Sequence, residues 1–134
     1  MYTHILIPIA PGAASNDIDA ISISRKLLAE GGKISVLTVL EEPPNYVGAY
    51  LPADLMTTNL AEVNETLQSV FADEDMETHV VTGHSGNAIL DWAERHDVDC
   101  IVVSSHRPGF SDYFIGSTAA RIVRHAQCPV VVLR

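Results

Sequence analysis

Short apolar segments alternate with longer amphipathic ones along the whole chain. The apolar segments are rich in β-branched side chains, and they cover residues 3–9, 33–40, 77–82, 99–104 and 129–133. Runs of this length and composition predict strands that are covered on both faces of a sheet.

The segments between these strands carry helical signals. Ser15 or Asn16 can cap a first helix, and Gly31-Gly32 is expected to end it. The residues expected to face inward from that helix are Ile18, Ile21, Leu27 and Leu28. The three further helices are predicted over residues 53–72, 87–96 and 116–126, with residues 83–86 as a loop. The apolar stripe of residues 53–72 consists of Leu60, Val63, Leu67 and Val70 or Phe71.

Strands that are separated by single helices require a parallel sheet with right-handed crossovers. We therefore predict an α/β fold with one domain over residues 1–134, built on an open parallel five-stranded sheet of strand order 3-2-1-4-5 with helices on both faces. In such sheets ligands bind outside the carboxyl ends of the strands, where the strand order reverses. The loops after the first, second and fourth strands form the expected binding edge.

Composition narrows the range of partners. The chain has 134 residues, and 47% of them are hydrophobic, yet no apolar run approaches the roughly 18–20 residues of a membrane-spanning helix. A net charge of −9, from 17 acidic and 8 basic residues, disfavours nucleic acids and anionic membranes as partners. The opening residues lack a basic region and a cleavage site, so we expect a cytoplasmic protein.

The thiol, imidazole and indole side chains favour structural roles. Cys100 and Cys128 begin apolar runs and lie in no metal-ligand spacing, so we expect two buried core thiols rather than a disulfide. The six histidines are scattered without the spacing of a zinc site. Trp92 lies at helical spacing with apolar neighbours and is predicted to be a core residue, whereas His84 is predicted to be a solvated loop residue.

The strongest candidate chemistry lies in residues 101–118, where a buried strand leads into a polar loop that ends at a helix. Free N–H groups and the positive end of a helix dipole bind anions such as phosphate. The residues suited to such a site are His106, Arg107, Gly109, Gly116, Ser117 and Thr118. The other interpretation is that Ser117 only caps its helix and Gly116 is a turn residue.

Several other phosphate-binding motifs are missing from the sequence. No lysine follows Gly116 as a P-loop requires, and no G-x-G-x-x-G follows the first strand. A phospho-receiver would need acidic residues where Ile9-Ala10 and Thr82-Gly83 stand. The candidate anion site is therefore not a P-loop, a G-x-G-x-x-G dinucleotide site or a phospho-receiver site.

Four stretches of the chain resemble the universal stress protein family. They are the opening Ile-Leu-Ile-Pro-Ile, the Val-Leu-Thr-Val of the second strand, Gly83 with Ile-Leu-Asp-Trp-Ala, and the C-terminal Ser-Ser-His-Arg-Pro with Ile-Gly-Ser-Thr-Ala-Ala-Arg-Ile-Val-Arg-His-Ala-Gln-Cys-Pro-Val-Val-Val-Leu. The resemblance covers nearly the whole chain and is most specific in the C-terminal third. It implies a stress-related regulatory protein that binds ATP or AMP, with Mg²⁺ bridging the phosphates where ATP is the ligand.

The resemblance also implies which residues would hold the nucleotide. The residues that would line the ribose and phosphates are Ser104, Ser105, His106, Arg107 and Gly109, and those that would hold the phosphates are Gly116, Ser117 and Thr118. Val39, at the end of the second strand, would meet the adenine through its backbone. The remaining residues expected at this edge are Pro8, Ile9, Ala10 and Val103.

The chain departs from the family pattern in two places. Nucleotide-binding members carry Gly-x2-Gly-x9-Gly-Ser/Thr, of which this chain keeps only Gly116-Ser117; a one-residue deletion after His106 would align Ser104 with the first glycine and remove the second. An ungapped match would instead put Val103 and His106 at these positions. Many binding members also have Asp where this chain has Ala10. One lost hydrogen bond to a charged group costs roughly 1.5–3 kcal/mol, which weakens binding without abolishing it.

Two alternative functions stay open at this point. One is a nucleotide-free dimeric interaction module of the same fold, favoured by Ala10 and the shortened loop. The other is a slow ATPase, for which Asp112 is the only acidic residue in the loop. The family resemblance further implies a homodimer that forms through the last strand, residues 129–133.

Overall fold

The structure is a computed structural model that describes residues 1–10, 18–41, 53–71, 75–105 and 116–134, with the backbone alone for residues 53–59. The strands are β1 (Tyr2–Pro8), β2 (Leu28–Leu40), β3 (Glu77–Thr82), β4 (Cys100–Ser104) and β5 (Val130–Leu133). The helices are α1 (Ile18–Leu27), α2 (Ala53–Val70), α3 (Ser85–Arg95) and α4 (Ser117–His125). None of the helices within these ranges combines the length and apolarity that a bilayer crossing requires.

All strand pairs are parallel, and the sheet has the order β3-β2-β1-β4-β5. This confirms the fold class and the strand order predicted from the sequence. Because β1 lies in the middle of the sheet, its residues Ile5, Leu6 and Ile7 are buried on both faces, with at most 1% of their surface exposed.

Alternate strand residues enter two separate apolar cores, one on each face of the sheet. On one face, α3 and α4 pack against Leu6, Leu37 and Val103, and we call this layer the α3/α4 core. On the other face, α1 and α2 pack against Ile5, Ile7 and Val102, and this layer is the α1/α2 core. Helices therefore cover both faces, as predicted.

The first helix differs from its prediction at its C-terminal end, and the predicted caps Ser15 and Asn16 lie outside the described residues. It ends at Leu27, before the Gly31-Gly32 pair, and β2 already begins at Leu28. Residues 29–32 form an irregular stretch, because Tyr2 pairs with Leu28 and His4 pairs with Lys33. The inward placement of Ile18 is wrong, since it is 72% exposed; α1 packs through Ala20 and Ser24, and a residue two positions before Ala20 faces the other side of a helix.

Two further expectations need correction, and the alternative between Val70 and Phe71 is decided. Ser85 and Gly86 lie in α3 rather than in a loop. In the α2 region Phe71 completes the buried stripe, whereas Val70 is 45% exposed. Cys100 is buried as expected, but Cys128 is only half-buried because it lies just before the edge strand β5. Trp92 is confirmed as a core residue at 7% exposure.

Ser24 is a polar side chain at the centre of the α1/α2 packing. It is fully buried, and its Oγ has no hydrogen-bond partner within the part of the chain that the structure describes. An unpaired buried hydroxyl costs about 1–3 kcal/mol. We expect Ser24→Ala to raise the free energy of unfolding by about 1 kcal/mol, measured by urea denaturation.

The exposed Ser22 of the same helix supplies the matched control. Ser22→Ala makes the same change in helix propensity without removing a buried hydroxyl. If Ser24→Ala stabilises the protein no more than Ser22→Ala does, the hydroxyl of Ser24 is not an unpaired buried group.

Candidate functional site

The strand order reverses between β1 and β4, which are neighbours at the centre of the sheet. From β1 the chain continues to β2 on one side, and from β4 it continues to β5 on the other. We call the position outside the carboxyl ends of β1 and β4 the crevice, since open α/β sheets bind ligands there.

At the end of β1 the chain presents mainly backbone to this crevice. Ile9 is 4% exposed and belongs to the α1/α2 core, and its N–H donates to the Leu37 carbonyl oxygen at 2.8 Å. Pro8 is half-buried and Ala10 is exposed. No carboxylate stands at these three positions, so β1 can line a ligand here but cannot offer it an acidic side chain.

The end of β2 is tied to the start of α3. Val39 is 5% exposed in the α3/α4 core, so its backbone is the part left for a ligand. The Ser85 hydroxyl donates to Glu41 Oε1 at 2.8 Å, and the Gly83 N–H donates to the Leu40 carbonyl oxygen at 3.0 Å. Gly83 has φ 142°, a conformation that favours glycine.

At the end of β4 the side chains alternate between core and edge. Val103 is 5% exposed in the α3/α4 core, and Ser104 is exposed. Both the N–H and the hydroxyl of Ser105 donate to the Leu133 carbonyl oxygen, at 2.8 and 2.9 Å. The Ser105 hydroxyl thus anchors the end of β5 in this structure, and to donate to a ligand it would have to leave that carbonyl.

The start of α4 lies beside the end of β4 and presents backbone N–H groups that no carbonyl of the helix accepts. Gly116 is the N-cap residue, and the first intrahelical bond runs from the Ala120 N–H to the Gly116 carbonyl oxygen at 2.9 Å. The N–H groups of Ser117, Thr118 and Ala119 precede that bond and have no acceptor within the helix. The first turn of α4 contains no acidic residue that would oppose an anion.

The structure places Gly116 rather than Ser117 at the N-cap of α4. The interpretation of Ser117 as the helix cap is therefore wrong, and Gly116 has no side chain that could cap the helix. Gly116 has φ −60°, and among the described residues a Cβ built on it would come near only the Ser105 carbonyl oxygen, at 3.8 Å. Those residues therefore leave room for a Cβ at position 116.

The packing of α3 on α4 holds this helix end in place, and the sequence pattern did not reveal it. Gly86 is buried, and a Cβ at this position would lie 2.6 Å from Cδ of Arg121. The Arg121 Nε donates to Asn87 Oδ1 at 2.6 Å. The two helices approach closely because residue 86 has no side chain.

The structure thus gathers most of the predicted site residues at one edge. Those on the ends of β1, β2 and β4 and at the start of α4 are Pro8, Ile9, Ala10, Val39, Val103, Ser104, Ser105, Gly116, Ser117 and Thr118. The predicted residues His106, Arg107 and Gly109 lie outside the described residues, as does Asp112. In the described ranges no three His, Cys, Asp or Glu side chains are grouped so as to hold a metal ion.

Comparison with known proteins agrees with this architecture. The model of the universal stress protein family matches residues 1–134. The chain belongs to the universal stress protein family. Universal stress protein G of Salmonella typhimurium is 28% identical over 142 residues, a match that covers 100% of both proteins. A universal stress protein of known structure from Lactobacillus plantarum is 23% identical, with a TM-score of 0.73 over 99% of this chain and 98% of that one.

Two similar universal stress proteins have been solved with an adenine nucleotide. One, from Archaeoglobus fulgidus, is in complex with dAMP and is 18% identical, with a TM-score of 0.62 over 99% of this chain and 98% of that one. The other is in complex with cAMP and is 20% identical, with a TM-score of 0.59 over 99% and 97%. At these identities the similarity shows that the fold is shared.

The contact between Gly86 and Arg121 can be tested by a double-mutant cycle. Alanine is favoured over glycine in a helix by about 1 kcal/mol, but a Cβ at position 86 overpacks the interface, at a cost of about 1–3 kcal/mol. We expect Gly86→Ala to lower the free energy of unfolding. In the Arg121→Ala background the same change should cost less, because Cδ and Cγ of Arg121 are gone while its Cβ, 3.3 Å from the added Cβ, remains.

Urea denaturation of the four proteins measures the coupling between the two sites. An effect of Gly86→Ala that is the same in both backgrounds would show that Arg121 does not close the gap between the helices.

Proposed function

We propose that this universal stress protein is a regulatory protein that binds an adenine nucleotide, ATP or AMP, in the crevice between the ends of β1 and β4. The observation that carries the proposal is the uncapped start of α4, where Gly116 and the N–H groups of Ser117 and Thr118 stand beside the end of β4. The dAMP and cAMP complexes of two relatives support the same class of ligand.

The proposed pose follows from the chemistry of each strand end. The phosphates would lie against the N–H groups of residues 116–118, where the helix dipole favours negative charge. The ribose would lie along Ser104 and Ser105, and the adenine would reach the backbone of Val39, whose side chain is in the core. From outside the described residues the proposed contacts are His106, Arg107 and Gly109, and Mg²⁺ would accompany ATP.

Ala10 sets the expected strength of binding. It is exposed at the end of β1, and its side chain has no group that could accept a hydrogen bond from the ribose. The missing contact to a charged group is worth roughly 1.5–3 kcal/mol, or about ten- to a hundred-fold in affinity. Such a site suits a protein that responds to changes in nucleotide concentration, and we propose a cytoplasmic regulator rather than an ATPase.

The nucleotide proposal is tested with a variant that fills the space in front of α4. Isothermal titration of the native protein with ATP and with AMP should release or absorb heat, and both nucleotides should raise the melting temperature. In Gly116→Val the φ of −60° and the room that the described residues leave for a Cβ favour folding, and the added methyl groups would occupy the proposed phosphate position. We expect at least about a ten-fold loss of affinity, which corresponds to 1.4 kcal/mol.

The matched control is Ser22→Ala, on the exposed face of α1 away from the crevice, which should bind as the native protein does. If the native protein shows neither binding heat nor a change in melting temperature at millimolar nucleotide, the proposal is overturned and the nucleotide-free interaction module is favoured. Equal affinity in Gly116→Val would place the nucleotide elsewhere on the protein.

We further propose that two copies of the chain pair through β5, with no nucleic acid or membrane as partner. The Ile101 N–H donates to the Pro129 carbonyl oxygen, and the Ser105 N–H donates to that of Leu133. Because hydrogen-bonding direction alternates along a strand, residues 129, 131 and 133 face β4, whereas Val130 and Val132 direct their backbone groups to the outer edge of the sheet. An apolar strand with such an edge can pair with a second copy.

Val132→Pro removes one outer N–H without removing a bond to β4. We expect this variant to be a monomer by light scattering at micromolar concentration, while the native protein is a dimer. Val132→Ala is the control, because it trims the same side chain but keeps the N–H, and it should remain a dimer. A native protein that scatters as a monomer would contradict the proposed pairing.

A further inference from the structure

A cluster of aromatic and imidazole rings lies at the amino edge of the sheet, opposite the proposed nucleotide crevice. We call it the histidine–tryptophan cluster, and its members are His4 of β1, His79 of β3, Trp92 of α3 and His96, which follows α3. The nucleotide proposal uses none of these side chains. They bring β1, β3 and the C-terminal end of α3 together.

Trp92 is the centre of the cluster and the only tryptophan of the chain. The ring of His96 stacks on it, with centroids 3.8 Å apart and an angle of 14° between the planes. His79 lies tilted against the indole at 4.9 Å, and His4 meets it edge-on at 5.9 Å. Trp92 and His96 together cover His4, of which 4% is exposed.

Both ring nitrogens of His4 are already engaged. Nδ1 lies 2.9 Å from the carbonyl oxygen of His96, and Nε2 lies 2.8 Å from Oγ of the fully buried Ser35. A carbonyl oxygen only accepts, so Nδ1 carries the proton of the neutral ring and Nε2 accepts from the Ser35 hydroxyl. The neutral ring is therefore satisfied, and a second proton would add a buried charge.

The charged groups that face this ring do not contact it. The Asp99 carboxylate accepts from the N–H of His4 and from the N–H and hydroxyl of Thr3, at 2.9–3.0 Å. Glu77 lies 3.5 Å from Nε2 of His79 and 3.9 Å from Nζ of Lys33. The rings of His79 and His96 lie against Trp92, the indole that His4 meets edge-on.

Burial lowers the pKa of His4 below its ordinary value of 6.5, and Lys33 lowers it further. The bond to the His96 carbonyl and the carboxylates of Glu77 and Asp99 act in the opposite direction but do not outweigh burial. A group whose pKa is lowered in the folded state contributes stability above its unfolded pKa. That stability is lost as the pH falls through 6.5 towards the folded pKa.

The chain turns beside His4, just after the end of α3, through a residue in a left-handed conformation. Asp97 has φ 53°, a left-handed conformation that a non-glycine residue adopts at some cost in free energy. The end of α3 is closed by the His96 N–H to Trp92 carbonyl bond at 3.1 Å and the Val98 N–H to Ala93 carbonyl bond at 3.0 Å. The carbonyl of His96, between them, is held by His4.

We propose that the histidine–tryptophan cluster is an acid-sensitive latch, in which protonation of His4 releases the C-terminal end of α3 from the amino edge of the sheet. Opening admits water to the charged ring and exposes the indole of Trp92. The sheet stays folded, because His4 is held there by its backbone pairing in β1 rather than by its ring. The latch gives the protein a response to acid that is separate from nucleotide binding.

The emission of Trp92 tests the latch in the full chain without nucleotide. On titration from about pH 8 to about pH 5, we expect the emission to shift to longer wavelength and acrylamide quenching to increase, with a midpoint below 6.5. Far-UV circular dichroism should stay constant over the same range. Acrylamide reports exposure, which distinguishes opening from direct quenching of the indole by a neighbouring imidazole.

His4→Gln is the decisive variant. Its amide can donate to the His96 carbonyl and accept from Ser35, but it does not titrate, so the transition should disappear. His125→Gln, at the exposed C-terminal end of α4, is the matched control and should keep the native transition. A transition that persists unchanged in His4→Gln would overturn the latch.

The native protein supplies a second measurement should His4→Gln not fold. In proton–nitrogen spectra, the ring of His4 and the indole N–H of Trp92 should titrate with the same midpoint. Different midpoints, an unchanged indole environment down to about pH 5, or loss of far-UV dichroism together with the Trp92 transition would each refute a local latch at His4.

Discussion

The burial of β1 between β2 and β4 is the constraint on which the rest of the structure depends. Ile5, Leu6 and Ile7 are inaccessible to water on both faces, so each face needs its own layer of helices. Parallel pairing on both sides of β1 then sends all carboxyl ends to one edge and all amino ends to the other. The two edges acquire different chemistry because different parts of the helices meet the sheet there.

At the carboxyl edge the chemistry is mainly that of the backbone. Ile9, Val39 and Val103 turn their side chains into the two cores, and the Ser105 hydroxyl is bonded to the end of β5. Among the described residues, what remains is strand-end backbone, a few small side chains and the start of α4, and backbone N–H groups at a helix start favour an anionic ligand. The close approach at Gly86 holds α4 in this position.

At the amino edge the chemistry belongs to side chains. The ring of His4 is buried there. Its Nδ1 bonds to the carbonyl oxygen of His96, which follows α3, and its Nε2 bonds to the hydroxyl of Ser35 in β2. The first residue of α3, Ser85, bonds to Glu41 at the carboxyl edge, and His96, just after the helix, bonds to His4 at the amino edge. The same helix therefore connects the edge of the proposed nucleotide crevice with the histidine–tryptophan cluster.

The sequence by itself determined the strand and helix order, the parallel sheet, the carboxyl-edge location of the candidate site and the glycine at the mouth of α4. These follow from local patterns, since apolar runs, helical stripes and glycine positions are properties of neighbouring residues. Tertiary structure alone decided that Gly116 rather than Ser117 occupies the cap position, that Gly86 faces Arg121, and that Ile18 is exposed while Ser24 is buried. It also brought three scattered imidazole rings around one indole. Contacts between residues far apart along the chain, such as His4 with His96 at a separation of 92 positions, depend on how helices pack across the sheet, and no local pattern encodes that packing.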